Sequence, residues 1–270
     1  MSAAGIPLAG LHGRRPAEAS PAEGLPAVTA GPLPPSLSTA AVVLVAVRDE
    51  QLTAALAELL AAHLAPGAVV LHASGSLDPR EALDRLRAAG HPAGTFHPLI
   101  PLADPSRAAG LVRGGWIGVD GDREAVRASE TLAQRMGARV LTIPAAGRAA
   151  YHAAAVIASN FPTILAALAS RLMQQSGVEP VDAWDAVRHL MVAAIANLSV
   201  NPPQSALVGP VSRGDAETIE RHLTVLRGDP DLVSVYVALS RAALPLAVEQ
   251  GIDAGALARI RALLEVSPSR

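Results

Sequence analysis

Apolar residues along the chain fall into two kinds of pattern. In the first half the runs are short, unbroken and β-branched: AVVLVAV at 41–47, AVVLHAS at 68–74 and ARVLTIP at 138–144. Runs of this kind, without polar alternation, suit strands buried on both faces of a parallel sheet. IPLAGLH at 6–12 predicts a further short buried strand, and GTFHP at 94–98 and GGWIGVDG at 114–121 predict two more. Helices are predicted between them over 50–63, 79–89 and 122–136, the first capped by Asp49. Strands and helices alternating at this spacing predict a parallel α/β sheet with right-handed crossovers. Residues 16–40, rich in Pro, Ala and Ser, read as loop.

After Pro144 no strand-like run follows. The stretch 147–175, GRAAYHAAAVIASNFPTILAALASRLMQQ, is apolar at nearly every position and predicts a long helix, apolar almost all round and therefore buried. Further helices are predicted over 180–199, 214–227, 230–250 and 253–265, with Asn201-Pro202-Pro203 as a break. The chain thus reads as an α/β half, 1–144, followed by an all-helical half, 145–270.

Polar residues on the long helix stand out. At about 100° per residue, Ser159 and Thr163 fall within roughly 40° of His152, and Asn160 within about 80°. Pro162 among them predicts a kink. The seam is either polar packing between helices or a site, and the sequence leaves both open.

Composition narrows the chemistry. Half the residues are hydrophobic, yet no window of 18 looks both uninterrupted and apolar enough to span a bilayer. No signal peptide is visible, and a cytoplasmic protein is expected. A net charge of −2 makes no case for nucleic acid or an anionic membrane as partner. Cysteine is absent, which excludes disulfides, thiolate catalysis and Cys-ligated zinc. Lysine is absent too: all 22 basic residues are arginine, so Schiff-base chemistry is excluded. Proton transfer near neutral pH must fall to the eight histidines, to shifted carboxyls, or to Tyr151 and Tyr236. No His/Asp/Glu cluster has metal-ligand spacing, so no metal is expected.

In an open parallel sheet, ligands bind at the carboxyl ends of the strands. The first predicted strand is followed there by Gly13, Arg14 and Arg15, the second by Arg48 and Asp49 after Val47, the third by Ser74-Gly75-Ser76 and the fourth by His97. His72 lies inside its strand and reads as structural. His63, His91, His189 and His222 have no visible partner. In the helical half, Gly209-Pro210-Val211-Ser212-Arg213-Gly214-Asp215 reads as a turn with Asp215 capping the next helix. Arg213 either binds a substrate carboxylate or braces that turn.

Taken together, LVAVRDEQL, VVLHASGSL, FHPLIPL, YHAAAVIASN and LVGPVSRGD, in this order and spacing, resemble the Rossmann-like plus DUF2520 proteins of the 6-phosphogluconate dehydrogenase-like and ketopantoate reductase-like group. The similarity runs from about residue 6 to 250. It implies a Rossmann-like parallel-sheet domain, a helical DUF2520-type domain, and an NADP-dependent reductase of a small carbonyl (2-oxoacid, ketopantoate-like) or imine compound.

Carried over by position, His152 stands where the wider group has a lysine and Asn160 where it has the second of two asparagines; Val156 replaces the first. The resemblance implies that His152 donates the proton, that Asn160 and Ser74 orient the substrate, and that His97 is a second acid. Gly13, Arg14 and Arg15 would meet the cofactor, the arginines at the 2′-phosphate of NADP, together with Val47, Asp49, Ser74 and Gly75. Ser159, Thr163 and Arg213 would line the substrate. The departure lies at the start: Gly5 and Gly10 do not make the G-x-G-x-x-G that opens such a domain, so its first strand and phosphate loop are expected to be missing. That departure supports another expectation, a non-catalytic ligand-binding or assembly protein on the same fold. The surplus of hydrophobic helix predicts a homodimer through the helical halves.

Overall fold

Val42–Val45 (β3), Val69–His72 (β4) and Ala93–Pro98 (β5) lie side by side and parallel, as their unbroken apolar runs require. The computed structural model describes residues 1–14 and 25–265. Trp116–Gly121 (β6) and Arg139–Thr142 (β7) complete a five-stranded sheet in the order β3-β4-β5-β6-β7. One expectation of a wholly parallel sheet is corrected: β6 runs antiparallel to β5. The chain between them holds only Pro105–Arg107 and the short helix Ala108–Val112 (α3), and it doubles back with Leu99 N–H donating to the Trp116 carbonyl (2.9 Å). The predicted strand at 6–12 is also shorter than its apolar run. Only Leu11–His12 (β1) pairs, in parallel with Val28–Thr29 (β2), as a separate two-stranded sheet.

Side-chain alternation gives the large sheet two different faces. Leu71, Phe96, Ile117 and Val119 point to one, where Arg123–Arg135 (α4) covers them with Ala125, Leu132 and Ala133. Val45, Val70 and Ala93 point to the other, against Leu52, Leu56 and Leu59 of Asp49–Ala61 (α1) and Leu83 and Leu86 of Arg80–Ala88 (α2). This second face turns polar along its length: the His72 side chain meets Thr95, and Thr95 and His97 stand opposite Asp120 and Gly118.

The chain divides into two compact units, Met1–Pro162 and Thr163–Arg270. The first takes in the opening turns of Arg148–Gln175 (α5), which continues through Pro162 as one helix. The second holds Pro180–Leu198 (α6), Pro203–Ala206 (α7), Ala216–Leu226 (α8), Pro230–Glu249 (α9) and Ala254–Glu265 (α10). Its core gathers Val211, Ile219, Leu244, Leu257, Ile260 and Leu264. Asp215 caps α8 as its position predicts, accepting from Thr218 N–H at 3.0 Å, and Asp229 caps α9 from Leu232 N–H at 3.1 Å. Gly214 takes φ +67°, and a Cβ there would sit 2.9 Å from the Ala256 methyl, so the turn into α8 needs glycine twice over.

The expectation that the long helix is buried is corrected. Only 11% of the most apolar window of Ala145–Gln175 is buried, and 28% of that in Pro230–Glu249. Both helices are also long and apolar enough to cross a membrane, and each carries a proline inside it, Pro162 and Pro245. Exposed side chains include Ile157 (60%) and Phe161 on α5, and Trp184, Leu190 (64%) and Ile195 on α6. An all-apolar helix needs cover, but periodicity alone does not say that the cover comes from the same chain.

Candidate functional site

The carboxyl ends of β3, β4 and β5 bring together Asp49, the Ser74–Ser76 turn and His97, and the first turns of α5 add Tyr151 and His152 to the same unit. Asp49 is the first residue of α1, with its side chain at the sheet end. Ser76 Oγ donates to its carboxylate. Burial works to raise the Asp49 carboxyl, but hydrogen bonds from Ser76 and Ser74 and the nearby His152 and His72 outweigh it and hold it below the usual range. Ser74 is buried, and its Oγ accepts from Leu77 N–H at 3.1 Å, which closes the turn.

His97 sits over this turn. A Cβ on Gly75 would meet the ring at 2.6 Å from Cε1 and 2.7 Å from Nε2, so only glycine leaves room for the imidazole. Its Nδ1 lies 2.7 Å from the Tyr151 hydroxyl, the two rings edge to face with centroids 5.6 Å apart. The His152 ring is 6.3 Å away. Burial pushes His97 below the ordinary histidine value, helped by His152 and Arg148 and opposed by Asp49. Burial pushes Tyr151 up to about 12, partly offset by Arg148. Both rings of the pair are therefore neutral at pH 7. Gly118, opposite His97 in the ladder, makes space for the phenol: a Cβ there would overlap the Tyr151 hydroxyl.

Beneath this pair lies a second polar layer. Arg148, 5% exposed, donates from Nη2 to Asp120 (2.9 Å), while its Nε and Nη1 find no protein acceptor among the described residues. His72, fully buried, contacts Thr95 Oγ1 through Nε2 at 3.1 Å. Burial, with Arg148, lowers it to about 4, so it is a neutral structural histidine, as its place inside a strand suggests. A cleft of about 220 Å³ opens beside this layer, lined by Arg87, Thr95, Asp120 and Arg148 among others. A larger one, about 480 Å³, lies between residues 33–38 and the end of α1, away from the histidines of the site.

Other predicted site residues fall elsewhere. Ser159 spends its hydroxyl on the Ala155 carbonyl of its own helix (2.9 Å), and the neighbouring Asn160 is exposed. Thr163, also exposed, begins the second unit. Arg213, 62% exposed, stands 3.9 Å from Asp215 in that unit, the bracing geometry. Val47 is exposed at the end of β3. Gly13 N–H donates to the Thr29 carbonyl at 3.0 Å, and Arg14 is exposed beside it; Arg15 lies outside the described residues. His222, without a visible partner in the sequence, meets the Tyr236 hydroxyl at 2.8 Å. Arg148 is a site residue that the sequence reading misses, and Tyr151 is named there only as a candidate proton carrier, without a place in the site; the signal is their adjacency to His152 in a helix otherwise poor in polar groups.

A dinucleotide needs a cradle for its pyrophosphate, ordinarily the free N–H groups of a helix N-terminus. Three helices that follow strands open on acid: Asp49 and Glu50 in α1, Glu81 in α2, Glu124 in α4. Carboxylates in the first turn compete for those N–H groups and repel phosphate. The openings of α1, α2 and α4 therefore do not suit the pyrophosphate of such a cofactor, although Arg14 suits an isolated anionic group.

The fold defines a class, a Rossmann-like, mostly parallel sheet followed by a helical unit. It is shared with a protein from Thermotoga maritima (24% identity, TM-score 0.64, covering 77% of this chain and 79% of that one). It is shared also with a candidate NADP oxidoreductase from Bacteroides fragilis (21%, 0.62, 76% and 75%). A Plasmodium falciparum pyrroline carboxylate reductase with NADP bound is similar over 89% of this chain and 86% of its own (10%, 0.55). No curated protein matches the chain. The family model described as a domain of unknown function, DUF2520, matches residues 116–243. That match agrees with the resemblance to Rossmann-like plus DUF2520 proteins that the sequence motifs carry.

Proposed function

We propose that this protein is an NADP-dependent oxidoreductase that reduces a small carbonyl or imine compound, working as a homodimer in the cytoplasm. The observation that carries the reading is the convergence of Asp49, Ser74, His97, Tyr151 and His152 at the carboxyl ends of three parallel strands, where such folds bind ligands. Donors and acids gathered around one turn suit a carbonyl or imine that must be polarised and then protonated. His152 is assigned as the proton donor and Ser74 as an orienting group, and Arg14 as the reader of the 2′-phosphate. The likeness in fold to a candidate NADP oxidoreductase and to a pyrroline carboxylate reductase supports the same class. The exposed apolar faces of α5 and α6 support self-association.

The acidic helix openings favour a second reading, a ligand-binding or assembly protein that has kept the fold without the chemistry. Fluorescence titration of NADPH and NADH separates the two. It is run against the 270-residue chain and against one extended upstream in the genomic frame. Tighter binding of NADPH than NADH by either chain supports the reductase, and loss of turnover in His152→Ala then identifies the acid. Binding of neither nucleotide by either chain refutes the reductase and leaves the second reading.

A further inference from the structure

The His97–Tyr151 contact fixes more than a ring orientation. A neutral phenol has one proton to donate, and among the described residues the only partner of the Tyr151 hydroxyl is His97 Nδ1 at 2.7 Å. If Nδ1 carried the proton, the phenol oxygen would accept and its own hydrogen would be left without an acceptor in a half-buried position. The satisfied arrangement has Tyr151 donating to a bare Nδ1, which leaves the ring proton on Nε2. Nε2 has no protein partner among the described residues, and the ring lies face-on over Gly75, where a Cβ would come within 2.6 Å of Cε1, 2.7 Å of Nε2 and 2.8 Å of Nδ1, so that Nε2–H is left to point along the ring plane, away from the protein partners. Two glycines on different strands and turns, Gly75 and Gly118, keep open the space this pair occupies.

We propose that Tyr151 is a positioning residue that holds His97 as the Nε2–H tautomer, and that this N–H is the hydrogen-bond donor to the oxygen of a carbonyl ligand at the carboxyl end of β5. The inference rests on the proposed reductase reading and narrows its substrate class. A carbonyl oxygen accepts from such a donor. A protonated imine has no lone pair on nitrogen and is turned away by it. The depressed basicity of His97 keeps the ring neutral, so it polarises the ligand and leaves proton delivery to His152.

The test is long-range ¹H–¹⁵N NMR of the full chain labelled at histidine, with His97 assigned from the signals lost in His97→Gln. At about pH 7.5, one unit above the ordinary histidine value, the wild type is expected to show a protonated Nε2 and a hydrogen-bonded, unprotonated Nδ1. Tyr151→Phe is expected to move the Nδ1 signal to that of a nitrogen without a donor, while amide spectra and unfolding midpoint show the variant folded. A protonated Nδ1 in the wild type, or an Nδ1 signal unmoved in Tyr151→Phe, overturns the assignment. Addition of 2-oxobutanoate is then expected to shift Nε2–H, and pyrrolidinium, a mimic of a protonated imine, to leave it unchanged. The absence of a 2-oxobutanoate shift, or a shift with pyrrolidinium alone, overturns the carbonyl assignment. None of these readouts needs nucleotide, so failure of NADPH binding and failure of this inference are told apart.

Discussion

His72 makes the stability of the sheet unit depend on pH in a defined window. Folding buries its ring completely and lowers its pKa from 6.5 to about 4. The unfolded chain therefore binds a proton between those values that the folded chain refuses, and stability must fall as pH drops through the window. A pKa difference of one between the folded and unfolded chain corresponds to about 1.4 kcal/mol, so the full loss below pH 4 is about 3 kcal/mol, of which about 2 kcal/mol has been lost by pH 5. His97, also shifted down, adds to the same trend. Carboxylates held below their usual value, such as Asp49, lose their contribution only below about pH 4, beneath this window. The assay is urea unfolding at about pH 7.5, 6, 5 and 4.5, followed by Trp116 fluorescence in a Trp184→Phe background so that the sheet unit alone reports. His72→Gln is neutral at every pH and serves as the reference. The advantage of the wild type over His72→Gln should shrink by about 2 kcal/mol between pH 7.5 and 5. A difference that stays constant would falsify the argument, since it would mean that His72 is protonated as easily folded as unfolded.

Three further outcomes are expected. Asp120→Ala leaves the Arg148 guanidinium buried without its partner and should cost about 3 kcal/mol by the same unfolding assay; a loss under about 1 kcal/mol would mean that water reaches the arginine. Gly118→Ala places a methyl on the Tyr151 hydroxyl and 2.6 Å from Ile143 Cδ1, at a cost of about 1–3 kcal/mol, with the His97 Nδ1 signal displaced as in Tyr151→Phe. Sedimentation at micromolar concentration should show a dimer. Leu190→Asp, removing about 1.5 kcal/mol or more from each of two symmetry-related positions, should weaken it by at least about 100-fold, and a monomeric wild type counts against self-association altogether.

Much of the fold was legible because its determinants are local. The β-branched runs at 41–47, 68–74 and 138–144 can bury both faces only as sheet strands, and the caps at Asp215 and Asp229 act within three residues of themselves. The histidine at the end of β5 and the serine turn after β4 were legible as site candidates for the same reason: strand ends in such sheets meet ligands wherever the rest of the chain goes. Tertiary structure alone decided the remainder. That β6 reverses direction depends on how seventeen residues between Pro98 and Trp116 fold back, which no periodicity encodes. That Tyr151 reaches His97, 54 positions earlier, depends on two glycines leaving room for it. That Arg148 pairs with Asp120 and not with solvent follows from sheet alternation, which turns Asp120 to the same face as Gly118, where Tyr151 also meets the sheet. The apolar character of α5 was written in the sequence, but whether the same chain covers it was not, because the hydrophobic effect rewards removal from water without specifying what replaces it.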